Sequence, residues 1–442
     1  MKVSFIKKVT NWGNYPVVER EIRSEASIER IKDFVINNPE VITRGNGRCY
    51  GDASLGDVIF STEKLNKFIS FDPENGIMEC ESGVLLSEIL DIIVPRGFFL
   101  YVTPGTKFIT IGGAIASDVH GKNHHTEGCF SECLLDFSVM NENGDVILCS
   151  REENSALFWA TMGGMGLTGI ILSARFKLKK IETSYMRQES IKAENLDDIF
   201  RLFEESAKWT YTVAWIDCLR KGRSRGRSIL LRGEHASVTE LPQSLSKKTI
   251  QVKNKQLLSM PFFFPGFALN TLSVQLFNML YYFKQLRKTV KSFVSYESFF
   301  YPLDIIGYWN RIYGKKGFIQ YQMVIPKEKG KEGMEKILET ISSSGQGSFL
   351  AVLKLFGKNN PLTYNSFPFE GYTLALDFKV TRQLKPLIDK LDDIVEEYGG
   401  RIYLSKDSMS KESLTDYLKN TSSGKFVSLQ QKRIKRIHYN LN

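Results

Sequence analysis

PGTKFITIGGAIASDVHGKNHH, residues Pro104 to His125, is the stretch whose reading decides the fold. It joins a Pro-Gly turn, a glycine pair inside a small apolar run (Ile111 to Ala116), and three histidines. Small residues let a backbone press flat against a ligand, and Gly112 and Gly113 expose N–H groups that no side chain shields. His120, His124 and His125 add polar donors and titratable nitrogens close by. Taken alone, Gly-Gly-Ala is also what tight packing uses, and HGKNHH also suits a polar loop.

The flanks narrow the choice. Upstream, Ile28, Ile31, Phe34 and Val35 form a helical stripe, opened by a cap at Ser27 and stopped by Pro39. A short strand at Val41-Ile42 then enters Arg44-Gly45-Asn46-Gly47-Arg48-Cys49-Tyr50-Gly51-Asp52. Three glycines flanked by two arginines suit a diphosphate cradle of N–H groups and guanidinium. The spacing is not G-x-G-x-x-G and no helix follows directly, so the Rossmann arrangement does not apply. Leu86, Ile89, Leu90 and Ile93 give the next helix, ended by Pro95-Arg96-Gly97. Downstream, Asn143-Gly144 between two apolar runs predicts a hairpin. A further glycine cluster, Gly163 to Ile171, follows LFWAT. Three glycine-rich turns hung on short β segments point to a large flat ligand gripped along its length. A nucleotide cofactor fits that better than a metal or a peptide does.

Composition sets the bounds. The 442 residues are 42% hydrophobic and 24% charged, ordinary for a soluble protein and more than one core usually supports. Lysine plus arginine exceed aspartate plus glutamate by 59 to 49, a net charge of +10 that suits phosphates or membrane surfaces. No element carries a nucleic-acid signature. The six cysteines form no Cys-x-x-Cys pair and no zinc spacing, so no metal is expected. They read as reduced thiols, and the N-terminus has no apolar signal core, so a cytoplasmic enzyme is expected.

The second half, from about 185 to 400, reads as an α+β substrate domain. Phe318 to Pro326 alternates, placing Gln320 and Gln322 on one strand face and Tyr321 and Met323 on the other. Paired amides on a sheet face bind sugar hydroxyls, or merely face solvent. Lys354 and Phe356 share a face, as do Ala375 and Asp377. After a helix bearing Leu384, Leu387, Ile388, Leu391 and Val395, Gly399-Gly400 leads into RIYLSKD, where the chain is expected to cross back. Between two sheets of this half, Leu257 to Phe283 is strongly apolar, with Lys284, Arg287, Lys288 and Lys291 after it. Its prolines, glycine and amides favour an interfacial anchor or lipid groove over a spanning helix or plain core.

RGNGRCYGD, PGTKFITIGGAIASDVHGKNHH and LFWATMGGMGLTGII together resemble the PCMH-type FAD-binding domain of the vanillyl-alcohol oxidase superfamily. With YPLDIIGYWNRIYGKKGFIQYQMVIP, VLKLFG and IYLSKDS, most of the chain resembles the decaprenylphosphoryl-ribose oxidase family, the flavin subunit of a lipid-linked sugar 2′-epimerase. The fold then expected is α+β. It comprises a PCMH-type FAD-binding domain over 1–183, a substrate domain with an antiparallel sheet over 184–400, and a C-terminal return over 401–442.

The resemblance implies FAD held by Arg44, Gly45, Asn46, Gly47, Arg48, Cys49, Tyr50 and Gly51, and by Pro104, Gly105 and Thr106. It adds Thr110, Gly112, Gly113, Ala116, Ser117, His120 and Asn123, and then Gly166, Ile170 and Tyr403. Covalent members of the superfamily often carry a flavin-linked histidine where this chain has Arg48, so the flavin is expected to be non-covalent. Cys49 beside it reads as a small packing residue. Lys406, Tyr50 and His120 are implied as the catalytic set, Lys406 for proton transfer and flavin charge. Lys122, Asn310, Tyr313, Gln320, Gln322, Lys354, Phe356 and Ala375 are implied around the substrate, with Lys354 toward its phosphate. Mycobacterial members carry at the position of Ala375 a cysteine that suicide nitroaromatic inhibitors modify, so that sensitivity should be missing here.

The expected reaction is oxidation of the 2′-hydroxyl of a polyprenyl-phosphate pentose to the keto sugar. A separate short-chain NAD(P)H-dependent reductase would complete the epimerisation. The expected setting is the cytoplasmic side of the inner membrane, bound peripherally. Two alternatives stay open: a soluble FAD-dependent sugar or aldonolactone oxidase, and a non-enzymatic flavin or lipid carrier.

Overall fold

The computed structural model describes residues 6–251, 258–411 and 424–439. The architecture is α+β. A four-stranded sheet is ordered β1-β2-β4-β3, with β1 (Ile6–Thr10), β2 (Val17–Arg23), β3 (Ile42–Arg44) and β4 (Val58–Ser61). Its β2-β4 and β3-β4 pairs are parallel. Beside it stands an antiparallel sheet of β5 (Phe68–Asp72), β6 (Ile77–Glu81), β7 (Phe98–Leu100), β8 (Leu134–Met140), β9 (Val146–Ser150) and β10 (Ile170–Lys180). The helix Ile28–Asn37 starts where Ser27 accepts from the Arg30 amide, and it buries Ile31, Phe34 and Val35. The β8-β9 hairpin forms as expected, Gly144 taking φ +76° in a turn that the Asn141 side chain pins through the Asn143 and Asp145 amides.

The second half holds β11 (Tyr185–Ala193), β12 (Tyr211–Ile216), β13 (Ser228–His235), β14 (Leu258–Ser259), β15 (Thr289–Ser295), β16 (Ile306–Gly307), β17 (Phe318–Pro326), β18 (Ala351–Phe356), β19 (Gly371–Lys379) and β20 (Arg401–Ile402). All but the small β14-β16 pair join one eight-stranded sheet, order β15-β11-β13-β12-β18-β19-β17-β20. The expected two sheets are therefore one, because β12 pairs with β18 through Ala214 and Trp215. Helices Leu196–Glu205, Gly330–Ser344 and Leu384–Glu397 cover one face, over Tyr321, Met323, Leu353, Leu355, Leu374 and Leu376. Period-two alternation sends Gln320, Gln322, Lys354, Thr373, Ala375 and Asp377 to the other face.

Two expectations about local structure change. Ile111–Ala116 is a short helix, capped by Thr110, which accepts from the Gly113 amide at 3.1 Å. The Gly163 cluster follows another helix, Ser155–Thr161. The Arg44 loop leaves β3 and the Gly163 cluster leads into β10, but the Gly112-Gly113 pair is helical, so β segments do not carry all three turns. After β20 the chain returns to the first half: Val41 exchanges backbone hydrogen bonds with Lys425 and Val427, and the helix Leu429–Tyr439 follows.

The apolar insertion is neither a span nor plain core. Leu257 lies outside the described residues. Thr271–Phe283 is a helix of 13 residues, about 20 Å long, against the roughly 30 Å of a bilayer core. No helix among the described residues is long and apolar enough to cross a membrane. Val274, Asn278 and Tyr282 form its buried stripe. Asn278 donates to Asp217 at 2.8 Å, and Asp217 in turn pairs with Arg227. Leu272, Leu276, Leu280 and Phe283 point outward at 74, 51, 60 and 55% exposure, joined by Phe262 and Phe267 at 61 and 80%.

Candidate active site

One wall of the site is the helix Ile111–Ala116. Ile111, Ala114 and Ile115 lock its inner face into the core, while Gly112, Gly113, Ala116 and Ser117 are half-exposed on the other side. The outer residues lie four apart in pairs, so they form one flat face without side-chain bulk. A Cβ added at Gly105 would meet nothing within 4 Å, and one at Gly166 only Ile42 at 3.9 Å. Ser82 Oγ and Thr43 Oγ1 are buried without partners. The surface is thus open at Gly105 and Gly166 and flat along the helix, which fits a nucleotide cofactor.

The two arginines of the neighbouring loop behave differently. Arg44 donates to Thr10 O at 2.9 Å and to the Asn11 side chain, and Ser54 lies 3.5 Å away. It holds protein together and has little left for a diphosphate. Arg48 makes no hydrogen bond or ion pair among the described residues and lies 4.0 Å over the Trp12 ring. Cys49 sits 3.2 Å from Ser54 Oγ, and burial pushes its thiol up, as suits a packing residue.

Lys406 and Tyr50 meet. The Tyr50 amide donates to Ser405 O at 3.0 Å, and the Lys406 ammonium lies 4.0 Å over the Tyr50 ring. Behind Tyr50, Gln320 donates to Asp377 at 2.6 Å and Tyr313 donates to its other oxygen at 3.1 Å. His120 is walled by the rings of Phe356, Phe367 and Tyr403, and Gln322 places its amide nitrogen 3.1 Å from Nε2 and 3.2 Å from Thr373 Oγ1. Tyr403 ties the halves: its amide donates to Gln322 O at 2.9 Å and its hydroxyl to Ser117 O at 3.1 Å. Lys354 opposes Thr373 across the β18-β19 pair, and Ala375 lies between Gln322 and Val352.

Charge is the chamber's main feature. Burial pushes Lys354 down to about 7, helped by the charge on Lys406. Lys122 also falls to about 7, from burial and then Lys354. Burial takes Lys406 down to about 8 against the opposing pull of Asp377. Burial, then Lys354, holds His120 well below its ordinary value, so its ring is neutral. None of these three lysines forms an ion pair with a carboxylate among the described residues. Asp377 is itself pushed up to about 7 by burial.

Several expected contacts are already used by the protein. Asn123 donates to Tyr101 O at 2.7 Å and to Glu127, which fixes the histidine loop. Lys122 Nζ donates to Phe299 O. Asn310 donates to Trp12 O at 3.0 Å, with its Oδ1 unpartnered. Tyr313 is buried behind Asp377, stacked on Phe318 at 4.0 Å. Ile170 is fully buried in the core, leaving only backbone for the groove. Sequence reasoning gave no role to Asp377, Thr373 or Phe367. The alternation that puts Asp377 on one face with Ala375 was the sequence signal that pointed to it, and the register against β17 sets it opposite Gln320.

Comparison with known proteins agrees with this geometry. Residues 21–150 match the FAD binding domain family, so FAD is the cofactor. A D-arabinono-1,4-lactone oxidase of Yarrowia lipolytica is 24% identical over half of this chain and 41% of its own length. An uncharacterised Streptomyces coelicolor protein of the mprA 5′ region is 28% identical, over 75% of this chain and 91% of that one. The decaprenylphosphoryl-β-D-ribose oxidase of Mycolicibacterium smegmatis is 36% identical over 414 residues, 91% of this chain and 89% of that protein. On that likeness this chain is an FAD-dependent oxidoreductase and belongs to the decaprenylphosphoryl-β-D-ribose oxidase family.

Proposed function

We propose that the protein oxidises the 2′-hydroxyl of a polyprenyl-phosphate pentose to a 2′-keto sugar, the first half of an epimerisation that a separate NAD(P)H-dependent reductase completes. The observation that carries this reading is the chamber itself: Lys122, Lys354 and Lys406 converge with no carboxylate in ion-pair contact among the described residues and only Asp377 acting on Lys406 from farther off, which suits a sugar carried on a phosphate. The Mycolicibacterium relative, whose name gives the same substrate class, supports it.

FAD supplies the hydride acceptor when bound. A value near 8 leaves part of Lys406 neutral at working pH, able to take the hydroxyl proton. The resulting ammonium faces Tyr50 and the Asp377 region, which favours the charged form. Gln322 and neutral His120 orient the sugar, and Phe356, Phe367 and Tyr403 keep water from the reacting carbon. Arg48 stands where a linking histidine would, so the flavin is held without a covalent bond.

A FAD-binding unit over 1–183, a substrate unit over 184–400 and a return over 401–442 describe the division of labour. The outward face of Thr271–Phe283, bordered by Lys284, Arg287, Lys288 and Lys291, would dock on the inner membrane from the cytoplasm.

The test is anaerobic bleaching of the bound flavin. Farnesylphosphoryl-ribose should bleach it and free ribose should not. Bleaching by free sugar or a lactone, with peroxide released in air, would favour a soluble sugar oxidase, the reading that the Yarrowia relative supports. A flavin that none of these bleaches would leave a carrier.

A further inference from the structure

A cavity of about 390 Å³, lined by Trp12, Arg48, Phe108, Asp304, Ile306, Tyr308 and Trp309, lies at the edge of the site, within the usual size of a small-ligand pocket. Its walls are aromatic and aliphatic, yet Arg48 points into it with no acceptor. The guanidinium lies 4.0 Å over Trp12 and 5.2 Å from Phe108, and it makes no hydrogen bond or ion pair among the described residues. Asp304 shares the cavity, but its Oδ2 already accepts from the Lys107 amide at 2.8 Å and it lies beyond ion-pair distance of Arg48. An unfilled five-donor fork among aromatic rings is suited to an anion that carries an apolar tail.

The surroundings say where that tail goes. Ile306–Gly307, on the cavity wall, pairs with Leu258–Ser259, and the Met260 amide donates to Gly307 O at 2.9 Å. Arg311 ties Met260 and Pro261 to the same segment, donating to their carbonyls at 2.8 and 3.1 Å. Tyr308 on the cavity wall is 56% exposed, and the segment so tied runs on into the exposed phenylalanines Phe262 and Phe267. On the protein side, the lining residues Trp12, Ile306 and Trp309 pack in one cluster with Tyr50, two positions after Arg48, over which Lys406 lies.

We infer that this cavity is the binding site for a prenyl phosphate: the phosphate sits on Arg48, the first isoprene units lie against Trp12, Phe108 and Trp309, and the remaining chain leaves along the apolar face. The inference rests on the proposed lipid-linked substrate and refines it. A phosphate joins an inner sugar to an outer lipid, so it must lie at the mouth. Arg48 is there and keeps its charge at working pH, whereas Lys354 is deeper, beside His124 and Phe356 on β18. Lys354 is then left for the pentose.

The experiment titrates geranyl phosphate into the full-length FAD-loaded protein and follows tryptophan fluorescence, since Trp12 and Trp309 line the cavity. Geranyl phosphate should bind, and more weakly as salt rises. Arg48→Gln should weaken it roughly tenfold to a hundredfold. Geraniol and inorganic phosphate should each bind far more weakly than geranyl phosphate. Unchanged binding in Arg48→Gln overturns the assignment; so does inorganic phosphate or geraniol matching the ester. Should Arg48→Gln lose its flavin, a diazirine-bearing geranyl phosphate photo-crosslinked to wild-type protein decides instead. Label on Trp12, Phe108, Ile306, Tyr308 or Trp309 supports the site, and label only elsewhere overturns it. A protein that binds geranyl phosphate here while no lipid-linked pentose bleaches its flavin keeps this site and loses the proposed reaction.

Discussion

The helices Ile111–Ala116 and Thr271–Phe283 each bury one stripe and leave the other uncovered by protein. In the first the uncovered stripe is Gly112, Gly113, Ala116 and Ser117; in the second it is Leu272, Leu276, Leu280 and Phe283. Both faces are unfinished without a partner, and their composition says which. Small residues without side-chain bulk suit a rigid, flat, polar group that must come within contact distance. Large aliphatic and aromatic side chains in a basic border suit a fluid apolar phase with an anionic surface. The first composition suits a cofactor, and the second suits the membrane surface proposed above.

Filling the small face should have the largest effect. Gly113→Leu puts a side chain where the cofactor lies, and the purified protein should be colourless, checked by flavin absorbance against protein concentration. Retention of a full complement of flavin would place the cofactor elsewhere. Acid precipitation of the wild type tests how that face holds its cofactor, and FAD should appear in the supernatant.

Lys406→Ala comes next. FAD should stay bound, since backbone groups grip it, while flavin reduction by substrate falls by about 10²–10⁴. The pH dependence has a definite sign. Lys406 must be neutral to accept a proton, and its value is pushed down to about 8, so the reduction rate should rise with pH and level off above that. Below it the rate should fall about tenfold per pH unit. A flat profile between pH 6 and about 9 would assign the proton to another group.

The large apolar face, with the exposed rings that precede its helix, predicts a contrast with the helix's buried stripe. Phe262→Ser with Phe263→Ser and Phe267→Ser removes exposed rings, so thermal stability should change by only about 0.5 kcal/mol. Binding to anionic liposomes should nonetheless collapse, since each buried phenyl is worth on the order of 1.5–3 kcal/mol. Val274→Ala, on the inner stripe, should do the reverse and cost roughly 1–3 kcal/mol of stability with liposome binding retained. Equal liposome binding by both variants would mean that the outward face has another partner.

The small-residue composition of the first face was legible in the sequence, its helical form was not, and the chemistry around it was only partly so. Gly112-Gly113 and the alternation of Phe318 to Pro326 carry their meaning locally, by backbone freedom and by period two. The single eight-stranded sheet was not legible, because Ala214 and Leu353 are far apart in the chain and nothing local records their pairing. Arg44 and Arg48 look equivalent in RGNGR. Only the fold shows that one is spent on Thr10 and Asn11 while the other faces a cavity. Asp377 was missed because its significance lies in Gln320 and Tyr313, which reach it from another strand and a short helical turn.

The central claim is that the two unfinished faces serve one reaction, flavin chemistry on a substrate presented by a membrane. The measurement that tests it is the rate of anaerobic flavin bleaching by a long-chain prenylphosphoryl pentose embedded in anionic liposomes, for wild type and for the triple Phe262, Phe263 and Phe267 to serine variant. A short water-soluble analogue serves as the second substrate. The account predicts that the variant matches wild type on the soluble analogue and is slowed at least tenfold on the embedded one, the ratio that about 1.4 kcal/mol of lost docking gives. Equal rates for both proteins on both substrates would contradict it.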